Sequence, residues 1–125
     1  MSNALKAIRR RVLLVEDELM IALELQSIIE HEGYEVVGPI RNVSRALAEI
    51  KNNPPSMALL DANLEGVSSS PIAEELTRRA IPFGVVTGYP YLREEHDALR
   101  QAPHLQKPYT SEEIVQLLRT LSAEA

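Results

Sequence analysis

The chain has 125 residues, 45% of them apolar, with 13 Lys plus Arg against 18 Asp plus Glu and a net charge of -5. That length suits one domain with its own core, the acidic balance argues against general affinity for nucleic acid or membrane surfaces, and the lack of cysteine excludes disulfides and thiolate metal sites. No apolar run approaches the roughly 20 residues of a membrane span, and MSNALKAIRRR has no secretion-signal core.

Residues 1–10 therefore read as a leader in which the basic run Arg9-Arg10-Arg11 begins, solvated rather than partner-bound. Val12-Leu13-Leu14-Val15 is a continuous apolar run, β-branched at both ends, and predicts a buried strand closed by Glu16-Asp17-Glu18. Ile21, Leu25 and Ile28 recur at helical spacing, with Gly33 as the stop. Tyr34-Glu35-Val36-Val37 predicts a second strand ended by Gly38-Pro39. Val43, Ala46, Leu47 and Ile50 predict a second helix, capped by Asn42 or Ser44 and ended by Asn53-Pro54-Pro55.

Met57-Ala58-Leu59-Leu60 predicts a third buried strand, and it runs straight into Asp61. Gly66 to Ser70 reads as a loop, and Pro71 suits the first turn of a third helix with Ser70 as its N-cap. Ile72, Ala73, Leu76 and Ala80 would face the sheet. Phe83-Gly84-Val85-Val86 predicts a fourth strand leading into Thr87-Gly88-Tyr89-Pro90. The stretch YLREEHDALRQAP has few apolar anchors and predicts a short, loosely held fourth helix. His104-Leu105-Gln106 is a weak fifth strand ending at Lys107-Pro108, and Thr110 with Glu113 forms a capping box ahead of Ile114, Leu117, Leu118 and Leu121. Five alternations of β and α predict a mostly parallel sheet with helices on both faces.

In such a sheet every strand's carboxyl end lies on one edge, which is where open α/β sheets bind ligands. That edge collects Glu16 and Asp17, Asp61, Thr87 and Lys107. Taken singly, each has a plain structural explanation: a turn Asp, an acidic first helical turn, a turn Thr, a solvated Lys. Taken together, three carboxylates, a hydroxyl and an amine form a set suited to phosphoryl transfer. Clustered carboxylates without thiol or imidazole suit a hard cation such as Mg²⁺, which also relieves their mutual repulsion. Asp61 would be the nucleophile. Lys107 and the Thr87 hydroxyl would meet the phosphoryl oxygens.

The segments VEDE, LLDANL, VVTGY and LQKPY, at this spacing, resemble the receiver domain of two-component response regulators, and the likeness runs from Arg11 to about Leu121. The resemblance implies a flavodoxin-like doubly wound five-stranded parallel sheet of order 2-1-3-4-5, spanning residues 11–123 with no output domain after it. It implies that Asp61 accepts a phosphoryl group from a sensor histidine kinase or phosphotransfer protein. Mg²⁺ or Mn²⁺ would be held by Glu16, Asp17, Asp61 and the backbone carbonyl of Asn63, while Thr87 and Lys107 report the phosphoryl group. The chain would be cytoplasmic, a monomer or a phosphorylation-dependent dimer, and would signal through an unnamed protein without direct nucleic-acid or membrane contact. His104 occupies the place of the usual switch aromatic and Tyr109 that of the usual Phe, so His104, Tyr89 and Tyr109 are the candidate switch modulators. The TGY turn and weak fourth helix are similar to an atypical single-domain branch with an F-A-T-G motif, although this chain reads GVVTGY.

Two rival functions remain at this level. A small Mg²⁺-dependent aspartyl-phosphate phosphohydrolase would need an acid–base carboxylate two residues after its nucleophile, and Asn63 stands there. A receiver-like binding module would keep the fold without using Asp61. The intact set of strand-end residues favours a phosphoacceptor switch with slow self-dephosphorylation rather than an enzyme.

Overall fold

The computed structural model describes residues 9–88 and 97–125. The elements, in order, are β1 (Arg11–Val15), α1 (Leu19–His31), β2 (Glu35–Ile40), α2 (Val43–Asn52), β3 (Met57–Asp61), β4 (Asn63–Leu64), β5 (Val67–Ser68), α3 (Ser70–Arg78), β6 (Phe83–Thr87), α4 (Asp97–Arg100), β7 (His104–Gln106) and α5 (Ser111–Glu124). The five-stranded sheet has the order β2-β1-β3-β6-β7, and every pairing in it is parallel. Counting only these five strands, that is the order 2-1-3-4-5 of a flavodoxin-like sheet.

Burial explains the apolar runs. β3 and β6 are buried at every position, and β1 at all but Arg11, as strands covered on both faces must be. Their side chains alternate between two cores. Leu13, Val15, Ala58, Leu60 and Val85 pack under α2 and α3. Val12, Leu14, Leu59 and Val86 pack with Leu25 and Ile29 of α1 and with Ile114, Leu118 and Leu121 of α5. The capping box of α5 is formed in both directions: Glu113 N–H donates to Thr110 Oγ1 at 3.1 Å, and Thr110 N–H donates to Glu113 Oε1 at 2.8 Å. For α2 the cap is Asn42, whose side chain accepts from Arg45 N–H at 2.9 Å.

Four local expectations change. β2 runs through Gly38-Pro39 to Ile40 instead of ending there. It is an edge strand, where a missing proline N–H is tolerated. The pairing slips by one residue between Leu13↔Val37 and Val15↔Ile40, a bulge. Gly38 enables it, with φ +111° and no room for a Cβ, which would sit 2.7 Å from Ile40 N and 2.8 Å from the Leu14 carbonyl oxygen. Second, residues 66–70 are not an open loop: β4 and β5 form an antiparallel hairpin turned at Glu65-Gly66, both at positive φ. Third, the N-cap position of α3 falls on Ser69 rather than Ser70, and the Ser69 side chain makes no capping hydrogen bond. Fourth, α3 ends at Arg78, so Ala80 is exposed at φ +57° instead of facing the sheet. The predicted fourth helix appears as α4, Asp97–Arg100; the start of that stretch, with Tyr89, lies outside the described residues. Among the described residues no helix is long and apolar enough to cross a membrane.

Candidate functional site

The strand ends bring the predicted residues together. Glu16 follows β1, Asp61 closes β3, Thr87 closes β6 and Lys107 follows β7. The β2 bulge contributes directly, because the realigned Ile40 carbonyl accepts the Glu16 N–H at 2.9 Å and fixes the turn leaving β1. Across the sheet, Lys107 N–H donates to the Thr87 carbonyl at 2.7 Å, holding the lysine beside the end of β6.

The side chains form a buried polar cluster. Glu16 is 1% exposed, Asp61 5% and Thr87 1%. Carboxylate oxygens of Glu16, Asp17 and Asp61 all lie within 4.8 Å of one another. Lys107 Nζ donates to Asp61 Oδ2 at 2.9 Å and stands 3.5 Å from Glu16 Oε1. The other Asp61 oxygen, Oδ1, accepts the Asn63 N–H at 3.0 Å. Glu16 Oε2 accepts the Glu18 N–H at 3.1 Å, whereas Oε1 is buried with no hydrogen-bond partner.

The charges do not balance. Three carboxylates face one amine, and burial is the main reason that the Glu16 carboxyl is pushed up to about 7, with Asp61 adding to the rise and Lys107 and the Glu18 N–H opposing it. At Lys107 burial works against the cation, but the Asp61 hydrogen bond and the charges of Asp61 and Glu16 outweigh it and hold the amine above the usual lysine range. An all-oxygen donor set, excess negative charge and an orphaned buried carboxylate oxygen fit a hard divalent cation. Among the described residues this is the one group of three or more His, Cys, Asp or Glu side chains so arranged.

The three candidate modulators separate. Tyr109 is half-buried against the core beneath α1 and α5. Burial first, then the carboxylates of Glu24, Glu16, Asp61 and Glu18, push its phenol up, so it stays a neutral hydroxyl facing an acidic field. His104 is exposed on the edge strand β7, its Nδ1 3.1 Å from the Ala102 carbonyl oxygen. Tyr89 lies outside the described residues. Sequence reading missed the parts that order the site through the backbone: the Glu18 N–H on Glu16, the Ile40 carbonyl, and the Asn63 side-chain oxygen that accepts the Gly66 N–H at 2.7 Å and closes the hairpin beside Asp61. The glycines in GP and EG were the signals that could have located the bulge and the hairpin.

Comparison with known proteins agrees with this geometry. The profile of the response regulator receiver domain matches residues 12–119. The transcriptional regulatory protein PdtaR of Mycobacterium tuberculosis is 27% identical over 118 residues, covering 91% of this chain and 57% of that protein. This chain thus spans little more than half the length of that curated relative. Among solved structures, SdrG from Sphingomonas melonis superposes with a TM-score of 0.78 at 35% identity, over 91% of this chain and 97% of SdrG. The response regulator PhyR from Brucella abortus superposes with a TM-score of 0.76 at 28% identity, over 91% of this chain and 48% of PhyR.

Proposed function

Since the chain belongs to the response regulator receiver domain family, we propose that it is a phosphoacceptor switch in which Asp61 takes a phosphoryl group from a sensor histidine kinase or a phosphotransfer protein. The observation that carries this reading is the pairing of Asp61 with Lys107 at 2.9 Å inside a buried cluster of excess carboxylates. A nucleophile and its charge-neutralising cation are already in contact there.

Glu16, Asp17, Asp61 and the Asn63 carbonyl would hold Mg²⁺ or Mn²⁺. When bound, the cation offsets the carboxylate charge and draws phosphoryl oxygens toward the site. The chain's own residues supply the rest. An Asp61 oxygen attacks phosphorus; the new O–P bond forms as the donor's P–N bond breaks, and the imidazole leaves with the electron pair. The Asn63 N–H on Oδ1 fixes the carboxylate's orientation. Lys107 exchanges its bond to Oδ2 for one to a phosphoryl oxygen, and the Thr87 hydroxyl donates to another. Exchange of these two contacts is what biases one conformation over another, since a modification shifts an equilibrium only through differential contacts.

Hydrolysis is disfavoured by Asn63, which has no titrating proton and whose amide oxygen is engaged with Gly66. The product therefore persists, and the switch works through contact with a downstream protein. The test is incubation with an autophosphorylated histidine kinase and Mg²⁺, followed by intact mass. One added phosphoryl group that disappears in Asp61→Ala is expected. Rapid phosphate release without accumulation would favour the hydrolase, and no modification from any donor would leave a binding module.

A further inference from the structure

A second concave surface lies apart from the acidic cluster: none of Glu16, Asp17, Asp61, Thr87 or Lys107 lines it. It is a cleft of about 800 Å³ that follows α3 from Ser70 to Arg78 and the turn at Ala80, is walled on the other side by α4, and ends near Pro103 and Glu124. Its floor and rim differ in chemistry. Ile81, Phe83, Ala98 and Ala102 supply apolar surface, and of these Ile81, Ala98 and Ala102 are only partly covered by the core.

The rim is acidic. Glu74, Asp97 and Glu124 are all exposed, and Glu74 and Glu124 make no ion pair among the described residues. Asp97 pairs with Arg100 at 3.6 Å. Among the described residues that line the cleft the one cation, Arg78, is committed to Glu75 at 2.5 Å. Polar groups stay on the rim, as in grooves that take a peptide helix along an apolar stripe. The nine residues of α3 advance about 13 Å, which matches two to three turns of an incoming helix and anchors at i, i+3 or i+4, and i+7.

We infer that this cleft docks one amphipathic helix of a partner protein, apolar on the inserted face and basic at its flanks. The inference goes beyond the phosphoacceptor reading and does not need it, since it concerns the unmodified chain.

The test uses a displayed library of amphipathic helices whose inserted face is fixed as apolar and whose flanking positions vary among Lys, Arg, Glu, Asp and Gln. Selection is carried out on the whole, unphosphorylated chain. Enriched helices should be basic at the flanks. Titrated into labelled protein, they should shift the backbone amides of Thr77, Ala98 and Gln101 and leave those of Leu19 and Asp61 in place. Affinity should fall about tenfold in the Glu74→Lys/Glu124→Lys double variant, whose positions are exposed and make no ion pair among the described residues. An Asp61→Ala chain should bind as the parent does, which separates this result from any failure of phosphotransfer. Enrichment of acidic or uncharged helices, shifts confined to another face, or no enrichment at all would overturn the proposal.

Discussion

Glu16 is the residue whose state depends most on what surrounds it. It is 1% exposed, one of its oxygens has no hydrogen-bond partner, and its pKa rises from 4.5 to about 7. A raised carboxyl pKa means that the folded chain binds a proton which the unfolded chain releases between these values. The associated stability is present below pH 4.5 and is lost as pH rises through about 7. In metal-free buffer, the stability of the parent minus that of Glu16→Gln should therefore fall by about 1–3 kcal/mol over this window, measured by urea unfolding. A difference flat with pH would show that Glu16 is not the proton-binding group. Lys107 is the counterpart. Removing it in Lys107→Ala leaves two buried carboxylates without their cation, and the metal-free variant should lose about 2 kcal/mol near pH 8 and less near pH 5, where Glu16 can take a proton.

At the scale of elements, two glycines control approach distances that side chains would spoil. Gly84 of β6 faces α5: a Cβ there would lie 2.8 Å from Leu117 Cδ2 and 3.0 Å from Cδ1. Gly84→Ala should cost about 1–3 kcal/mol through overpacking. In the Leu117→Ala background the same change should cost clearly less, because its clash partner is gone; equal costs in a double-mutant cycle would sink this account. At Gly38 the obstacles are backbone atoms and the φ is +111°, so a side chain cannot be accommodated by rotating a neighbour. Because the bulge at Gly38 places the Ile40 carbonyl on the Glu16 N–H, its loss should disturb the acidic site as well as the sheet edge. The α5 cap is a separate contribution: Thr110→Ala removes one arm of the capping box and should cost about 1 kcal/mol.

For the whole molecule, the site is a store of electrostatic conflict that a cation relieves. Three carboxylates from two strand ends are brought together only in the native state, so a divalent cation held by them would bind the folded chain in preference to the unfolded one. Millimolar Mg²⁺ should raise the melting temperature by several degrees, each kcal/mol of linkage being worth about 4 °C for a domain of this size. The shift should vanish in Asp17→Ala/Asp61→Ala, and an unchanged melting temperature in the parent chain would count against the acidic pocket.

The sequence alone determined the sheet class and which polar side chains meet at one sheet edge. Fully buried parallel strands must be written as unbroken apolar runs, so Val12–Val15, Met57–Leu60 and Phe83–Val86 were legible, and the polar residue that ends each run had to sit on one edge. The helical periods and the Thr110–Glu113 box were legible for the same reason: they are local patterns with local causes. Tertiary structure decided what depends on distant neighbours. Whether Gly38-Pro39 ends a strand or bulges it depends on lying at the sheet edge beside Leu14. Whether Glu65-Gly66 is an open loop or a hairpin turn depends on Asn63 closing onto Gly66 beside Asp61. That Lys107 grips Asp61, while Glu16 is left with an orphaned oxygen, follows from folding residues 46 positions apart onto one edge, where burial and charge act on all of them at once.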